Sequence, residues 1–444
     1  MNISKYFISS IDNLWRRDIP QEVLDRARQS LLDYVAVTAA GNKFQAQKIH
    51  NYLTFALPEK GDATSIGIGK LALKEAVFLN GLNSHALDFD DGTNSGIIHL
   101  GSPIFSLLIP LAERYNILID DMLKASIIGY EVSYTMAVSI QPGHKALGYH
   151  ATGTCGVLGA TIAACYMLGF SDEERFNAFS SACVSATGML SVLDDGSELK
   201  PYNVAKTALL ALTSLELAKA GFRGNPDPLG GYRGYFKMMT GYTDIKLKPL
   251  LLNGTYAIRK SYTKPYASCR YTHPSVEAAI YLRNEVNVKS IERIDIQTYD
   301  LAVTGHDHID IQGSYSAKMS IPYATAAGLI YGKAGLQEFS EEIIEGTEIQ
   351  NLTRKIHVSA SDELSEAFPN IQAAILTIKT NDEEYIARID FPKGEPENPL
   401  TDKEFKDRYE GLMEYADIDS EISAAVFDIV YKKGALVNDL VRDL

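Results

Sequence analysis

Cysteine is scarce in this 444-residue chain: four in all, Cys155, Cys165, Cys183 and Cys269, with no CxxC pair. That spacing excludes a zinc-finger or iron–sulfur framework and a disulfide-stapled scaffold. It leaves the four as small buried hydrophobes in a reducing compartment. Long apolar runs are missing as well. The opening MNISKYFISSIDNLWRRD has no basic start followed by an apolar stretch, so no secretory signal is read there. The least charged segment, residues 146–171, contains His150 and is built from Gly, Ala, Thr and Ser more than from Leu and Ile. It reads as a helix buried inside a large domain, not as a bilayer span. Basic residues are outnumbered: 42 Lys and Arg stand against 56 Asp and Glu, a formal charge of −14. Such a surface repels the phosphate backbone, which argues against nucleic acid as a partner. The expectation is a cytoplasmic protein with no membrane and no nucleic-acid partner.

The commonest catalytic motifs are absent too. SIGIGK, residues 65–70, has two spaced glycines, but Ala72 stands where a dinucleotide fingerprint needs its third. Neither a Walker A loop nor a GxSxG elbow occurs. His306-Asp307-His308 has the spacing of two imidazoles on one face of an extended segment, yet no clear third ligand accompanies it. It reads as a polar loop end, and no metal is predicted.

What remains is a chain with 46% hydrophobic and 22% charged residues. At about 150 residues per domain, that length allows two or three domains with a substantial core. In the helix-spaced segment from Pro20 to Ala40, Val23, Leu24, Ala27, Leu31, Leu32 and Val35 share one face. Ser171-Asp-Glu-Glu174 has the capping-box spacing, and Asn203 is a candidate cap for a helix reaching Ala220. The first 260 residues read as all-helical. After the Gly- and Pro-rich loop 224–236 the pattern changes: a strand is expected over 290–303, a hairpin over 373–379 and 385–391, and helices at 274–285 and 322–331. GEPENP, residues 394–399, is a linker, and Thr401 opens another helical stretch. The prediction is a mainly α protein. A helical domain takes residues 1–265 and 401–444, and an α+β domain is inserted at 266–400.

Four segments carry chemistry. HALDFDDGTNSGIIHLGSP, from His85 to Pro103, packs Asp88, Asp90, Asp91, His85 and His99 around a Gly-containing turn. GYHATGTCGVLGA puts His150 just before a helix of small residues, whose free N–H donors attract a carboxylate and keep a nearby imidazole neutral. Lys200-Pro201 and Lys264-Pro265 are cations at the starts of apolar or aromatic segments. Lysine is seldom buried without a partner. KPYASCRYTHP, residues 264–274, adds Arg270 and His273 and has the makings of an anion cradle.

Taken in order, HALDFDDG with His99 downstream, GYHATG, KPY at Lys200, KPYASCRYTHP, SAKMSIPYATA at 316–326 and GEPENP resemble the MmgE/PrpD family. The resemblance runs over roughly residues 5–440 and implies a large all-α domain formed by both ends of the chain, a smaller inserted α+β lid domain and a homodimer. It also implies a cofactor-free site between the domains that acts on a small di- or tricarboxylate. Carried over by motif, the catalytic candidates are Asp88, His99, His150 and Tyr323. The substrate-binding candidates are Lys200, Lys264, Arg270, His273 and Thr93. The implied activity is that of a lyase, removing a proton next to a carboxylate with dehydration or decarboxylation. An epimerase of a dicarboxylate and a non-catalytic carboxylate-binding protein are the alternatives. His150 or Asp88 is available as base, and His99 or Tyr323 as proton donor. Two departures border the implied pocket: Asp91-Gly92-Thr93 and His99-Leu100-Gly101 replace the DDT and HPS of methylcitrate dehydratases, and Asn203-Val204-Ala205 replaces a histidine-alanine-glycine run.

Overall fold

The computed structural model describes residues 2–192 and 197–444, and its secondary structure is mainly helical. The chain forms two compact units. One comprises residues 2–192, Leu199–Ser261 and Phe405–Leu444, and the other residues 197–198 and Tyr262–Glu404.

The first unit is organised by apolar helices whose spacing was visible in the sequence. The Gln21–Phe44 helix starts directly after Pro20 and buries Val23, Ala27, Leu31, Leu32 and Val35. Each of these valines and leucines contributes about 1.5–3 kcal/mol when fully withdrawn from water. The Gly156–Met167 helix is buried from Gly156 through Tyr166. Its small residues permit close approach: a Cβ on Gly159 would lie 1.9 Å from Ser133 Oγ of the Ile119–Ile140 helix. Among the described residues no helix is long and apolar enough to cross a membrane. The Ser171 capping box is formed, with both reciprocal bonds to Glu174.

Three local expectations are corrected. SIGIGK closes a two-stranded antiparallel hairpin, Ala63–Ser65 with Gly69–Leu71, so the first 260 residues are not wholly helical. Side chains supply what this short ladder lacks: the Thr64 amide and hydroxyl donate to buried Glu113, and Asn80 bonds both the Thr64 carbonyl and the Ile66 amide. The strand expected over 290–303 ends at Thr298, and Asp300–Val303 turns into a short helix, favoured by an acidic first residue. Asn203 is not a cap. Proline fits the first turn of a helix, and the helix begins at Lys200 with Pro201, which places Asn203 inside it.

The second unit holds a four-stranded sheet in the order Ile356–Ala360, Ile291–Thr298, Ala374–Thr380, Glu384–Ile389. The first pair is parallel and the other two are antiparallel, the last being the hairpin read from the sequence. The His273–Leu282 and Ile321–Tyr331 helices belong to this unit.

The C-terminal Asp402–Tyr415 helix, opened by reciprocal Thr401–Glu404 bonds, brings Arg408 back to the first unit. Arg408 bonds Asp33 and, at 2.8 Å, the Phe89 carbonyl, and its guanidinium lies 4.2 Å from the centre of the Phe89 ring. The end of the chain thus holds the His85–Asp91 segment in place. Burial pushes the Asp33 carboxyl up to about 6, against the opposing pull of Arg408. Arg408→Met would leave that carboxylate buried without its counter-charge, a loss of about 3–5 kcal/mol. Without the guanidinium the carboxyl moves higher still, so the folded state keeps a proton that the unfolded chain has lost above its ordinary 3.8. Stability therefore falls as pH rises through that window. Denaturant unfolding should show a larger deficit for Arg408→Met near pH 8 than near pH 5. An equal deficit at both would remove Asp33 from the account.

Candidate active site

The segment after the Leu73–Ser84 helix is shaped before it is charged. His85 caps that helix, and the chain then bends through Asp88 at φ 51° and Ile97 at φ 49°. Left-handed backbone is costly for a β-branched residue and tends to persist where the surroundings enforce it. Here the 93–98 loop is closed by the Thr93 amide donating to the Ile98 carbonyl at 2.9 Å. Asp91 then anchors the Gly101–Arg114 helix, accepting from the Gly101 amide at 2.9 Å and the Tyr130 hydroxyl at 2.7 Å. A Cβ at position 101 would lie 2.5 Å from that hydroxyl, so the glycine that departs from HPS is sterically required.

The other two aspartates face imidazoles and an ammonium. Asp90, 3% exposed, receives His85 Nδ1 at 2.8 and 2.9 Å and the Ser102 hydroxyl at 2.7 Å, with His99 Nδ1 at 3.3 Å. Burial works to raise its carboxyl, but the imidazoles of His85 and His99 outweigh it and hold the group well below the ordinary range. An ionised carboxylate only accepts, so His85 carries its proton on Nδ1. His99 Nδ1 also lies 2.8 Å from the Asp91 carbonyl, again a pure acceptor, so it too is protonated there. Asp88 Oδ1 accepts from Lys200 Nζ at 2.6 Å and lies 3.8 Å from His99 Nε2.

Three imidazoles pack together: the His85 ring lies 4.6 Å from His99 and 6.2 Å from His150, centre to centre. Burial depresses His85 to about 4 and holds His150 well below its usual value, with neighbouring positive charge adding to the effect. Among the described residues, buried His85 Nε2 has no hydrogen-bond partner. The His99 amide donates to Thr152 Oγ1 at 3.1 Å, joining the first motif to the GYHATG motif. Lys200 reaches the cluster because its helix packs closely on Leu73–Ser84: a Cβ on Gly81 would lie 2.8 Å from Ala205 Cα.

Ligating atoms of His85, Asp88, Asp90 and His99 all lie within 4.8 Å of one another, the spacing of a metal-binding set. Their carboxylates, however, already receive an ammonium, imidazole N–H groups and a hydroxyl. A divalent ion would have to displace those donors and sit beside the Lys200 cation, so the donor set fits proton handling better than metal binding. His306 and His308, the pair weighed in the sequence, bond the local carbonyls of Thr304 and Ser316.

The remaining candidates lie in the second unit. Lys264, 1% exposed, donates to the Ser268 carbonyl at 3.2 Å, and His273 Nε2 meets the same oxygen at 3.3 Å. Arg270 forms a buried ion pair with Glu395. Tyr323 donates its hydroxyl to the Glu338 carbonyl at 2.7 Å. Thr93, back in the first unit, has a buried hydroxyl without a partner among the described residues. So Asp88, His99, His150 and Lys200 come together in one cluster, while Arg270 meets Glu395 through Nε and Nη2 and Tyr323 bonds the Glu338 carbonyl, each within its own unit. Sequence reasoning named His85 and Asp90 in the first motif but gave them no role, and it passed over Ser102 in the same motif and buried Lys318 in SAKMS.

A depressed imidazole has a consequence for stability. Between about 4 and the ordinary 6.5 the unfolded chain protonates His85 while the folded state does not, so stability is lost as pH falls through that window. The full effect is on the order of 3 kcal/mol. Between pH 7 and pH 5 the parent should lose about 2 kcal/mol more than His85→Gln in denaturant unfolding. Parallel pH profiles would show that His85 is not held neutral.

The chain resembles known proteins along most of its length. It is 26% identical over 431 residues to cis-aconitate decarboxylase of Aspergillus terreus, covering 90% of this chain and 87% of that relative. It is 22% identical over 431 residues to cis-aconitate decarboxylase of Mus musculus, with 92% and 86% covered. Alkylcitrate dehydratase phiI of a fungal species is 25% identical over 284 residues, 60% of this chain and 56% of that protein. The family model of the MmgE/PrpD N-terminal domain matches residues 7–248 and that of the MmgE/PrpD C-terminal domain residues 266–431. With both halves matched in order, the chain belongs to the MmgE/PrpD family.

Proposed function

We propose that this chain is a lyase acting on a small tricarboxylate of the cis-aconitate or alkylcitrate kind, through loss or gain of a proton next to a carboxylate, without a metal or organic cofactor. The observation that carries the reading is the buried cluster in which His99, with Nδ1 engaged and Nε2 3.8 Å from Asp88 Oδ1, stands beside the Asp88–Lys200 pair. The names of the relatives that span most of the chain support the same class.

The chemistry needs such a set. Removing a proton α to a carboxylate, or expelling CO₂, leaves additional negative charge on a substrate that is already anionic. A protein carrying −14 must therefore gather cations locally. In this reading Lys200 and Lys264 bind substrate carboxylates, and in a site shielded from water each contact counts for more than on the surface. An imidazole lone pair takes the α-proton and returns it to a departing hydroxyl. In decarboxylation the C–C electrons stay on the α-carbon as CO₂ leaves, and that carbon takes a proton from a ring that solvent has first protonated. Positioned proton transfer of this kind contributes about 10²–10⁴ in rate.

The test is proton NMR in D₂O containing EDTA, with cis-aconitate, citrate, 2-methylcitrate and an aspartate-derived dicarboxylate offered in turn. The reading expects turnover of a tricarboxylate, deuterium at a carbon next to a carboxylate, and no loss of rate with chelator. The product spectrum separates decarboxylation, dehydration and epimerisation. Lys200→Met and Lys264→Met should each lower kcat/KM at least about 10²-fold, the scale of removing a charge-stabilising donor. Wild-type rates in both variants, or activity that vanishes with EDTA and returns with a divalent metal, would overturn the assignment.

A further inference from the structure

Asn203, 1% exposed, sits in the first turn of the Lys200–Lys219 helix at the departure from the family's histidine-alanine-glycine run. Its Nδ2 lies 3.3 Å from the Met189 carbonyl and 3.1 Å from His150 Nδ1. A carbonyl only accepts, so the amide must turn its NH₂ toward Met189; the flipped amide would set two oxygen lone pairs against each other in a buried place. The second hydrogen of the same nitrogen then points at His150 Nδ1, which must be the acceptor. His150 is further fixed by its own backbone, whose amide donates to the Gly188 carbonyl at 3.2 Å. Burial keeps the ring neutral. One proton is left for the ring, and it belongs on Nε2. His85 and His99 have the opposite arrangement, each with Nδ1–H on an acceptor of its own segment.

We propose that Asn203 is a positioning residue that locks His150 in its Nε2–H tautomer and so makes it a neutral hydrogen-bond donor to developing negative charge, leaving His99 as the proton acceptor. The inference rests on the lyase reading above and assigns roles within it. The proton balance is what separates the two imidazoles. If His150 were the base, its Nε2 would first have to lose a proton, and Asn203 offers Nδ1 a hydrogen bond but no proton to replace it. If His150 gave its proton away it would become an imidazolate, which nothing at Nδ1 relieves. A neutral imidazole that polarises a carboxylate or enolate oxygen avoids both problems. In dehydration His99 Nε2 takes the α-hydrogen, the C–H electrons form the double bond as the C–O bond breaks, and the same proton leaves with the hydroxide as water. His150 ends each cycle as it began.

Nitrogen-15 NMR of the histidine-labelled protein, free of substrate and with each ring identified by the signal lost in its own substitution, reads the tautomers directly. The expected pattern is His150 with Nδ1 bare and Nε2 protonated, and His99 with Nδ1 protonated. Asn203→Asp replaces the donor with an acceptor of the same shape, so Nδ1 of His150 should gain a proton. Its kcat should fall about 10²–10³-fold, the scale of losing one charge-stabilising donor, with KM changed by less than about threefold, a split expected when only transition-state binding is lost. A proton on His150 Nδ1 in the parent would overturn the proposal, as would an Asn203→Asp enzyme that shifts the proton yet keeps kcat within about twofold. The parent spectrum decides the tautomer even if the variant does not fold. Should the tautomers be as expected while no polycarboxylate exchanges its α-proton, the lyase reading falls and the Asn203–His150 lock stands.

Discussion

A carboxylate held ionised inside a helical core is the constraint on which this site depends. Asp90 has almost no contact with solvent, and an anion withdrawn from water is tolerable only if donors replace the lost hydration. His85, Ser102 and the nearby His99 ring are those donors, and meeting that need fixes their protons. The tautomers of two imidazoles thereby follow from a local electrostatic requirement. The state of Nε2 follows from how Nδ1 is satisfied.

The scaffold around this carboxylate is arranged so that it cannot relax away. Asp91 ties the following helix to Tyr130, Arg408 clamps the Phe89 carbonyl from the far end of the chain, and left-handed Asp88 aims its carboxylate at Lys200. The three acidic residues between positions 88 and 91 thus do three different things. Asp91 is structural, Asp90 orients imidazoles, and Asp88 holds a cation. The Asp402–Tyr415 helix, which lies in the same unit as residues near 90 from Phe405 onward, carries the counter-charge for buried Asp33.

Long periodic helices, the capping signal at Ser171 and the helical stretch opening at Thr401 were legible in the sequence, because burial and free amide groups are read by the residues that carry them. The 373–391 hairpin was legible for a similar reason, from strand-favouring residues either side of a polar turn. The SIGIGK hairpin was not, since its stability comes from Glu113 and Asn80, remote in the chain. Asn203 shows the limit most clearly. Near a helix start the residue type reads as a cap, and only the three-dimensional position of Met189 and His150 reveals the work of its amide. The clustering of Asp88, His99, His150 and Lys200 was foreshadowed by motif resemblance. The distinct duties of the three aspartates were not, because spacing in a motif carries no information on which partner each one meets.

Neutron crystallography of the deuterated protein tests the central claim most directly, since it locates the hydrogens on which the proton polarity of the cluster rests. The account predicts deuterium on Nδ1 of His85 and of His99, no deuterium on Asp90, and deuterium on Nε2 but not Nδ1 of His150. Deuterium on the Asp90 carboxyl, or on Nδ1 of His150, would contradict it.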